Sequence, residues 1–273
     1  MKTLIFSGKG GVGKTTLAVN LANYLNKFGK SVVIGLDQQN NHVDLIKMEK
    51  FDVDYECLAT VVNEKIEVVI ENTFIGKYKE YAQVMMPDIV AMCNLGELMR
   101  RIGDKYQFLV IDFPPNHAGL TLLHLPIILN NIAFKAMTIK NRVRRMMKGS
   151  DPALENIEYF AENQRMMLKN FKEAYWFPLG IPTDLGLIET RKSYEFIKKI
   201  GYMPKKIIVN MVAPIPEGEC EYCMARYYNA NLVLADFNKL GEEAGLDVVQ
   251  IPYYTDPSEI AENMEALMDN LDL

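Results

Sequence analysis

Short apolar runs alternate with longer segments of helical periodicity along most of the chain. Each run predicts a strand covered by helices on both faces, since continuous apolar character is typical of such strands. The runs are residues 3–6, 31–36, 108–111, 173–179, 206–210 and 247–251, with a further candidate at 66–70. Helices are predicted at 17–28, 85–102, 185–200, 220–244 and 256–271. This alternation indicates an α/β fold with a doubly wound, mostly parallel sheet.

One segment interrupts the alternation. Residues 125–172 have helical periodicity without an intervening strand, and Asp151 followed by Pro152 favours the start of a second helix there. We therefore predict an α/β core formed by residues 1–124 and 173–273, with an inserted helical subdomain at 125–172.

Composition narrows the class of protein. The net charge of −5 argues against nucleic acid as a general partner. No apolar run approaches the roughly 18–20 residues that a membrane span needs, so we do not expect a transmembrane protein. The first strand begins at once, which leaves no room for a signal peptide, and four cysteines without an export signal suggest a reducing compartment. A cytoplasmic protein is expected.

The first chemical motif lies between the first strand and the first helix. It fits Gly-x-x-x-x-Gly-Lys-[Ser/Thr], the P-loop, whose glycines let backbone N–H groups approach phosphate oxygens. Lys14 is expected to reach the β- and γ-phosphates of a nucleoside triphosphate, and Thr15 to place its hydroxyl on Mg²⁺. The predicted nucleotide-binding residues are Gly8, Gly10, Gly11, Val12, Gly13, Lys14, Thr15 and Thr16.

Two aspartates end apolar strands behind this loop. Asp112 is placed to hold Mg²⁺, and Asp37 to orient or deprotonate the attacking water. A single aspartate at such a place would more often be a helix cap or a turn residue. The occurrence of two, both after buried strands, favours the catalytic interpretation.

Cys220 and Cys223 form a Cys-x-x-Cys pair at the start of a predicted helix. Two thiolates make half of a tetrahedral Zn²⁺ site, which a second copy of the pair from a twofold-related chain would complete. A redox-active dithiol is the rival interpretation. Two unrelated cysteines are the third.

Lys9, which the P-loop does not require, resembles the extra lysine of the deviant Walker A ATPases. In that class the additional lysine reaches across a dimer to the partner's nucleotide. The resemblance therefore implies a homodimer that closes on ATP, with Lys9, Lys14 and Asp37 as its catalytic residues.

Three further stretches resemble the arsenical-pump and tail-anchored-protein-targeting ATPases. The first is Asp112–Pro126, which is similar to switch II. The second is Thr183–Arg191, similar to the family's Leu-x-x-x-Glu-Thr-x-Arg segment, followed by Asn210 at the place of the asparagine that contacts adenine. The third is Cys220–Arg226, which is similar to Cys-x-x-Cys-x-Ala-Arg. The resemblance implies ATP, Mg²⁺, one Zn²⁺ shared across the dimer by Cys220 and Cys223, and adenine contact by Asn210. It also implies that the inserted helices bind a hydrophobic membrane-protein client or a membrane-bound partner. Switch I, Asp37-Gln-Gln-Asn-Asn41, departs from the family pattern.

Three alternatives stay open at this point. The chain could drive an arsenite pump, although arsenite prefers about three converging thiolates. It could be a partition-type positioning ATPase that binds DNA or membrane, which the basic residues between Arg142 and Lys148 favour. It could also be a zinc- or redox-controlled holdase with little ATP turnover.

Overall fold

The computed structural model describes residues 1–36, 41–57, 87–114, 122, 124–131, 134–135, 137–139, 142, 152–216, 218, 220–254, 259–260, 263–269 and 271. The chain divides into two compact units. The first contains residues 1–56, 106–120 and 173–273, and the second contains 57–105 and 121–172. The boundary predicted for the helical insertion remains a prediction. Asp37 and the candidate strand at 66–70 lie outside the described residues.

A seven-stranded sheet organises the first unit. Its strands lie in the order β3-β2-β4-β1-β5-β6-β7, and the pairings of β1 with β4 and β5, of β2 with β4, and of β6 with β5 and β7 are all parallel. The α/β prediction is thus confirmed. The strands are β1 (Lys2–Gly8), β2 (Ser31–Gly35), β3 (Asp54–Cys57), β4 (Phe108–Asp112), β5 (Tyr175–Gly180), β6 (Lys206–Val212) and β7 (Asp247–Pro252).

Helices connect the strands, as parallel pairing requires. Those of the first unit are α1 (Lys14–Leu25), α2 (Asn41–Glu49), α5 (Asp184–Lys199), α6 (Glu221–Ala244) and α7 (Met264–Met268). Those of the second are α3 (Pro87–Ile102) and α4 (Pro152–Glu173), and the described residues between 122 and 142 are also helical. No helix in the described part of the chain is long and apolar enough to cross a membrane.

Three elements differ from the prediction. α2 and β3 carry no clear apolar pattern, and β3 is a four-residue strand at the edge of the sheet. The C-terminal helix, expected over 256–271, is described only as the short α7, with 3₁₀ geometry at residues 259, 260 and 263.

Both faces of the sheet are buried. Ile208 of β6 joins the core cluster that contains Leu4, Phe6 and Leu17. Its neighbours in β6 pack instead with Leu234, Phe237 and Leu240 of α6. Successive side chains of a strand point to opposite faces, so a strand buried on both faces must be apolar throughout. Burial of both faces therefore explains the continuous apolar runs in the sequence.

A buried carboxylate joins α3 to α4 in the second unit. The Glu97 side chain is 2% exposed and accepts hydrogen bonds from Arg100, Arg101, Tyr159 and Asn163. Burial by itself raises the pKa of Glu97, but the hydrogen bonds from Arg100, Tyr159 and Arg101 outweigh burial and lower the pKa to about 2. The charged form is therefore strongly favoured in the folded unit.

We expect Glu97→Gln to lower the free energy of unfolding at pH 7 by about 3 kcal/mol, because the amide cannot replace a carboxylate that accepts several charged hydrogen bonds. A carboxylate whose pKa is lowered by folding contributes its full stability above its pKa in the unfolded chain, near 4.5. This contribution is lost as the pH falls towards the pKa in the folded protein, about 2. The difference between wild type and variant should therefore shrink from pH 5 to pH 3 in urea titrations.

Asp236→Asn is the matched control, since Asp236 forms an exposed i,i+3 ion pair with Lys239. It should change stability little at any of these pH values. A Glu97→Gln difference that stays constant from pH 5 to pH 3 would contradict the assigned ionisation.

Candidate nucleotide site

The P-loop connects the end of β1 to the start of α1. Gly11 and Gly13 have φ values of 79° and 90°, in the left-handed region that glycine adopts without steric cost. Gly8 lies so close to the Leu179 carbonyl of β5 that a Cβ there would overlap it. Backbone geometry thus requires glycine at positions 8, 11 and 13, and the roles of Gly10 and Thr16 stay predictions.

Lys14 crosses the loop that it follows. Its side chain is buried, and its ammonium donates hydrogen bonds to the carbonyls of Gly8 and Lys9, both at 3.0 Å. The ammonium therefore lies against the backbone of the loop in which the motif predicts the phosphates. A cation at a glycine-rich loop that begins a helix makes this loop a suitable anion site.

Thr15 and Asp112 meet beside the loop. The Thr15 hydroxyl donates to Asp112 Oδ2 at 2.6 Å, and Asp112 is only 6% exposed. Asp112 pairs in register with Phe6 of β1 and Gly35 of β2, so it ends the strand between them. A hydroxyl and a carboxylate are the hard oxygen ligands that Mg²⁺ prefers. The pair fits the predicted metal, which Thr15 and Asp112 would hold.

Asn210 approaches the same loop from β6. Its amide nitrogen donates to the Val12 carbonyl at 2.9 Å, and the side chain is 3% exposed. The structure thus brings Asn210 to the backbone of the loop, and its contact with adenine stays a prediction. Asp37 is not described, but Leu36 before it donates its N–H to the Asp112 carbonyl at 3.1 Å.

The profile of the anion-transporting ATPases matches residues 1–272. The chain belongs to the anion-transporting ATPase family. An ATPase named get3 from Schizosaccharomyces japonicus is 25% identical over 304 residues, covering 100% of this chain and 92% of that protein. The ATPase ASNA1 homolog of Dictyostelium discoideum is 26% identical, with 83% and 76% covered. A putative arsenical pump-driving ATPase 2 of Aquifex aeolicus is 25% identical, with 78% and 81% covered.

Membership makes this protein an ATP hydrolase and confirms the predicted family and its use of ATP. The individual roles of Asp37, Lys9, Lys14, Asp112 and the loop residues stay predictions. Among the described residues no hydrogen bond or ion pair engages the Lys9 ammonium, which is partly exposed.

The cysteine pair of this ATPase lies at the exposed start of α6. The Cys220 sulfur accepts a hydrogen bond from the Cys223 N–H at 3.2 Å, and the two sulfurs lie within disulfide-bonding range, with Cα atoms 5.2 Å apart. No group of three or more potential metal ligands occurs in the described part of the chain. Among the described residues, one chain thus supplies two sulfur ligands at this place.

Two features of the site escaped the sequence interpretation. Arg226 of the Cys-x-x-Cys-x-Ala-Arg motif lies over the Tyr253 ring at 5.5 Å, which ties α6 to the loop after β7. Met211, next to Asn210, has a φ of 59°. Arg226 and Tyr253 lie far apart in the sequence, so their contact could not be predicted from it. A positive φ is usually indicated by glycine, so a methionine with a positive φ could not be predicted either.

We expect Asp112→Asn to reduce Mg²⁺-dependent ATP hydrolysis by about 100-fold or more, because an amide binds Mg²⁺ much more weakly than a carboxylate does. ATP affinity measured calorimetrically without Mg²⁺ should change little. Thr15→Ser keeps the hydroxyl and is the matched control, with activity close to wild type in a phosphate-release assay. Retention of more than a tenth of the activity in Asp112→Asn would contradict the assignment.

Proposed function

We propose that this ATPase is a cytoplasmic homodimer whose Mg-ATP-driven closure controls the binding and delivery of a hydrophobic client. The client would be of the kind carried by tail-anchored-protein-targeting ATPases. The motif resemblance and the relatives named get3 and ASNA1 homolog support this proposal. The dimer, the client and the location are parts of the proposal.

The observation that carries the client proposal is the exposure of large apolar side chains in the helical stretch. Ile128, Phe134 and Ile139 are 41%, 65% and 62% exposed, and all lie on helical residues between 122 and 142. Exposed apolar side chains grouped in one segment are typical of surfaces that bind other proteins or lipid. A transmembrane segment has the matching chemistry.

In the proposed dimer, the nucleotide site controls closure. When Mg²⁺ is bound it neutralises phosphate charge, and Thr15 and Asp112 are the residues that would hold it. Lys14 binds the phosphates, and Asp37 orients the water. The Lys9 ammonium, unlike the Lys9 carbonyl, has no partner among the described residues of its own chain, which agrees with a role in reaching the nucleotide of a second copy.

The cysteine pair supports the same dimer. Structural Zn²⁺ sites have four ligands in a tetrahedral arrangement, and thiolates are common among them. Because Cys220 and Cys223 are both exposed, the same pair from a second chain could complete the site. A disulfide within the pair is the chemical alternative, and it agrees with the distance between the sulfurs.

A second candidate function is arsenite-stimulated pumping. The relative named as an arsenical pump-driving ATPase and the exposed thiols favour it. It predicts that arsenite accelerates hydrolysis and that Cys220→Ser abolishes the acceleration. Hydrolysis that does not respond to arsenite would exclude it.

The client proposal predicts that the wild-type protein keeps a transmembrane-segment peptide in solution in the presence of ATP. The double variant Phe134→Ser and Ile139→Ser should lose most of this capacity because it lacks two exposed apolar side chains, and its ATPase activity should persist. Peptide remaining after centrifugation measures the capacity.

Phe28→Ser is the matched control, since Phe28 is 67% exposed but lies in the first unit. It should hold the peptide as well as wild type does. The client proposal is wrong if the double variant holds the peptide as well as the wild type does, or if the wild type holds none.

The shared-metal proposal predicts one Zn²⁺ for every two chains in protein purified under reducing conditions. Cys220→Ser should lose the metal and shift the mass measured by light scattering from dimer to monomer. Elemental analysis gives the stoichiometry. A zinc-free wild type whose two thiols react only after reduction would instead favour the redox dithiol.

A further inference from the structure

β6 has an irregularity beside the P-loop. Its residues pair in register with β7 at Val209 with Gln250, and next at Val212 with Pro252. Two residues of β6, Asn210 and Met211, therefore stand opposite a single residue of β7. This is the arrangement of a β-bulge, which redirects a side chain and is over-represented next to active sites.

The bulge contains a strained residue. Met211 has a φ of 59°, in the left-handed region where a long side chain is unfavourable. A residue keeps such a conformation only where its surroundings impose it. The bulge is therefore held in place by its neighbours, although a methionine alone would avoid it.

The other residue of the bulge is Asn210. Its amide nitrogen bonds the Val12 carbonyl at 2.9 Å inside a buried environment. A carbonyl can only accept, so the nitrogen and not the oxygen of the amide must face it. Gly13 makes room for this contact, because a Cβ at position 13 would overlap the Asn210 amide.

The Val12 carbonyl shares its peptide plane with the Gly13 N–H. In a trans peptide these two groups point in opposite directions, and the chain has no cis peptide bonds in its described part. Holding the carbonyl towards β6 therefore fixes the N–H away from β6. No acceptor in the described part of the chain engages that N–H.

We propose that Asn210 is a positioning residue for the phosphate loop. Held by the bulge at Met211, it orients the Val12–Gly13 peptide so that the Gly13 N–H is directed at phosphate before nucleotide binds. This role is distinct from contact with adenine, and it depends on the ATPase activity alone, so failure of the proposed dimer or client would leave it standing.

The test compares Mg-ATP with inorganic tripolyphosphate, which has no base. Asn210→Leu is close in size, is uncharged and cannot donate. We expect it to weaken binding of both ligands about tenfold in calorimetric titrations, because the peptide plane is no longer held. If only ATP binding weakens, the side chain acts on the base and the proposal is overturned. Unchanged binding of both ligands overturns it as well.

Two variants keep the test independent of folding. Asn26→Leu removes an amide donor to the Asp52 carbonyl at the other end of α1, so it should lower the melting temperature without weakening either ligand. Asn210→Ala, which cannot overpack, should reproduce the loss if the leucine variant does not fold. Weakened tripolyphosphate binding in Asn26→Leu would overturn the proposal.

Discussion

The parallel register of β1 and β4 is the constraint on which the nucleotide site depends. It sets Phe6 opposite Asp112, so that the loop leaving β1 begins beside the carboxylate that ends β4. The Thr15 hydroxyl can then reach Asp112 at 2.6 Å across 97 positions of sequence. Parallel strands place their carboxyl ends at one edge, and the loops that follow them converge there. Without this register the P-loop would have a lysine and a hydroxyl but no carboxylate beside them.

Lys14 links two parts of this edge. Its ammonium donates to the carbonyls of Gly8 and Lys9, so it restrains the backbone of the lysine that we propose reaches the second chain. Phosphate oxygens accept stronger, charge-assisted hydrogen bonds than carbonyls do. A nucleotide that draws Lys14 towards its phosphates would therefore release the Lys9 backbone. Nucleotide binding in one chain would therefore also remove a restraint on the backbone of Lys9 in that chain.

The parts of this architecture that sequence could predict are those encoded locally. The P-loop and Asp112 each follow a continuous apolar run, and a strand buried on both faces produces that run whatever its neighbours are. β3 is a four-residue edge strand in which the charged Asp54 and Glu56 prevent a continuous apolar run, and α2 begins in a polar stretch, so neither shows such a pattern. The Asn210–Val12 contact spans 198 positions and depends on a bulge at a methionine, and the buried Glu97 network depends on how α3 and α4 pack. Only the folded chain brings these residues together.

The chemistry of Cys220 and Cys223 makes the proposed dimer conditional. Zinc binds thiolates, and a disulfide has none to offer, so the same two sulfurs cannot be paired with each other and shared with a second chain at once. Both cysteines are exposed at the start of α6, where an oxidant and a partner have equal access. The contact between the sulfurs in one chain is therefore compatible with the dimer only after reduction. A metal-bridged interface of this kind would form in a reducing compartment and open on oxidation, without any change in the nucleotide site.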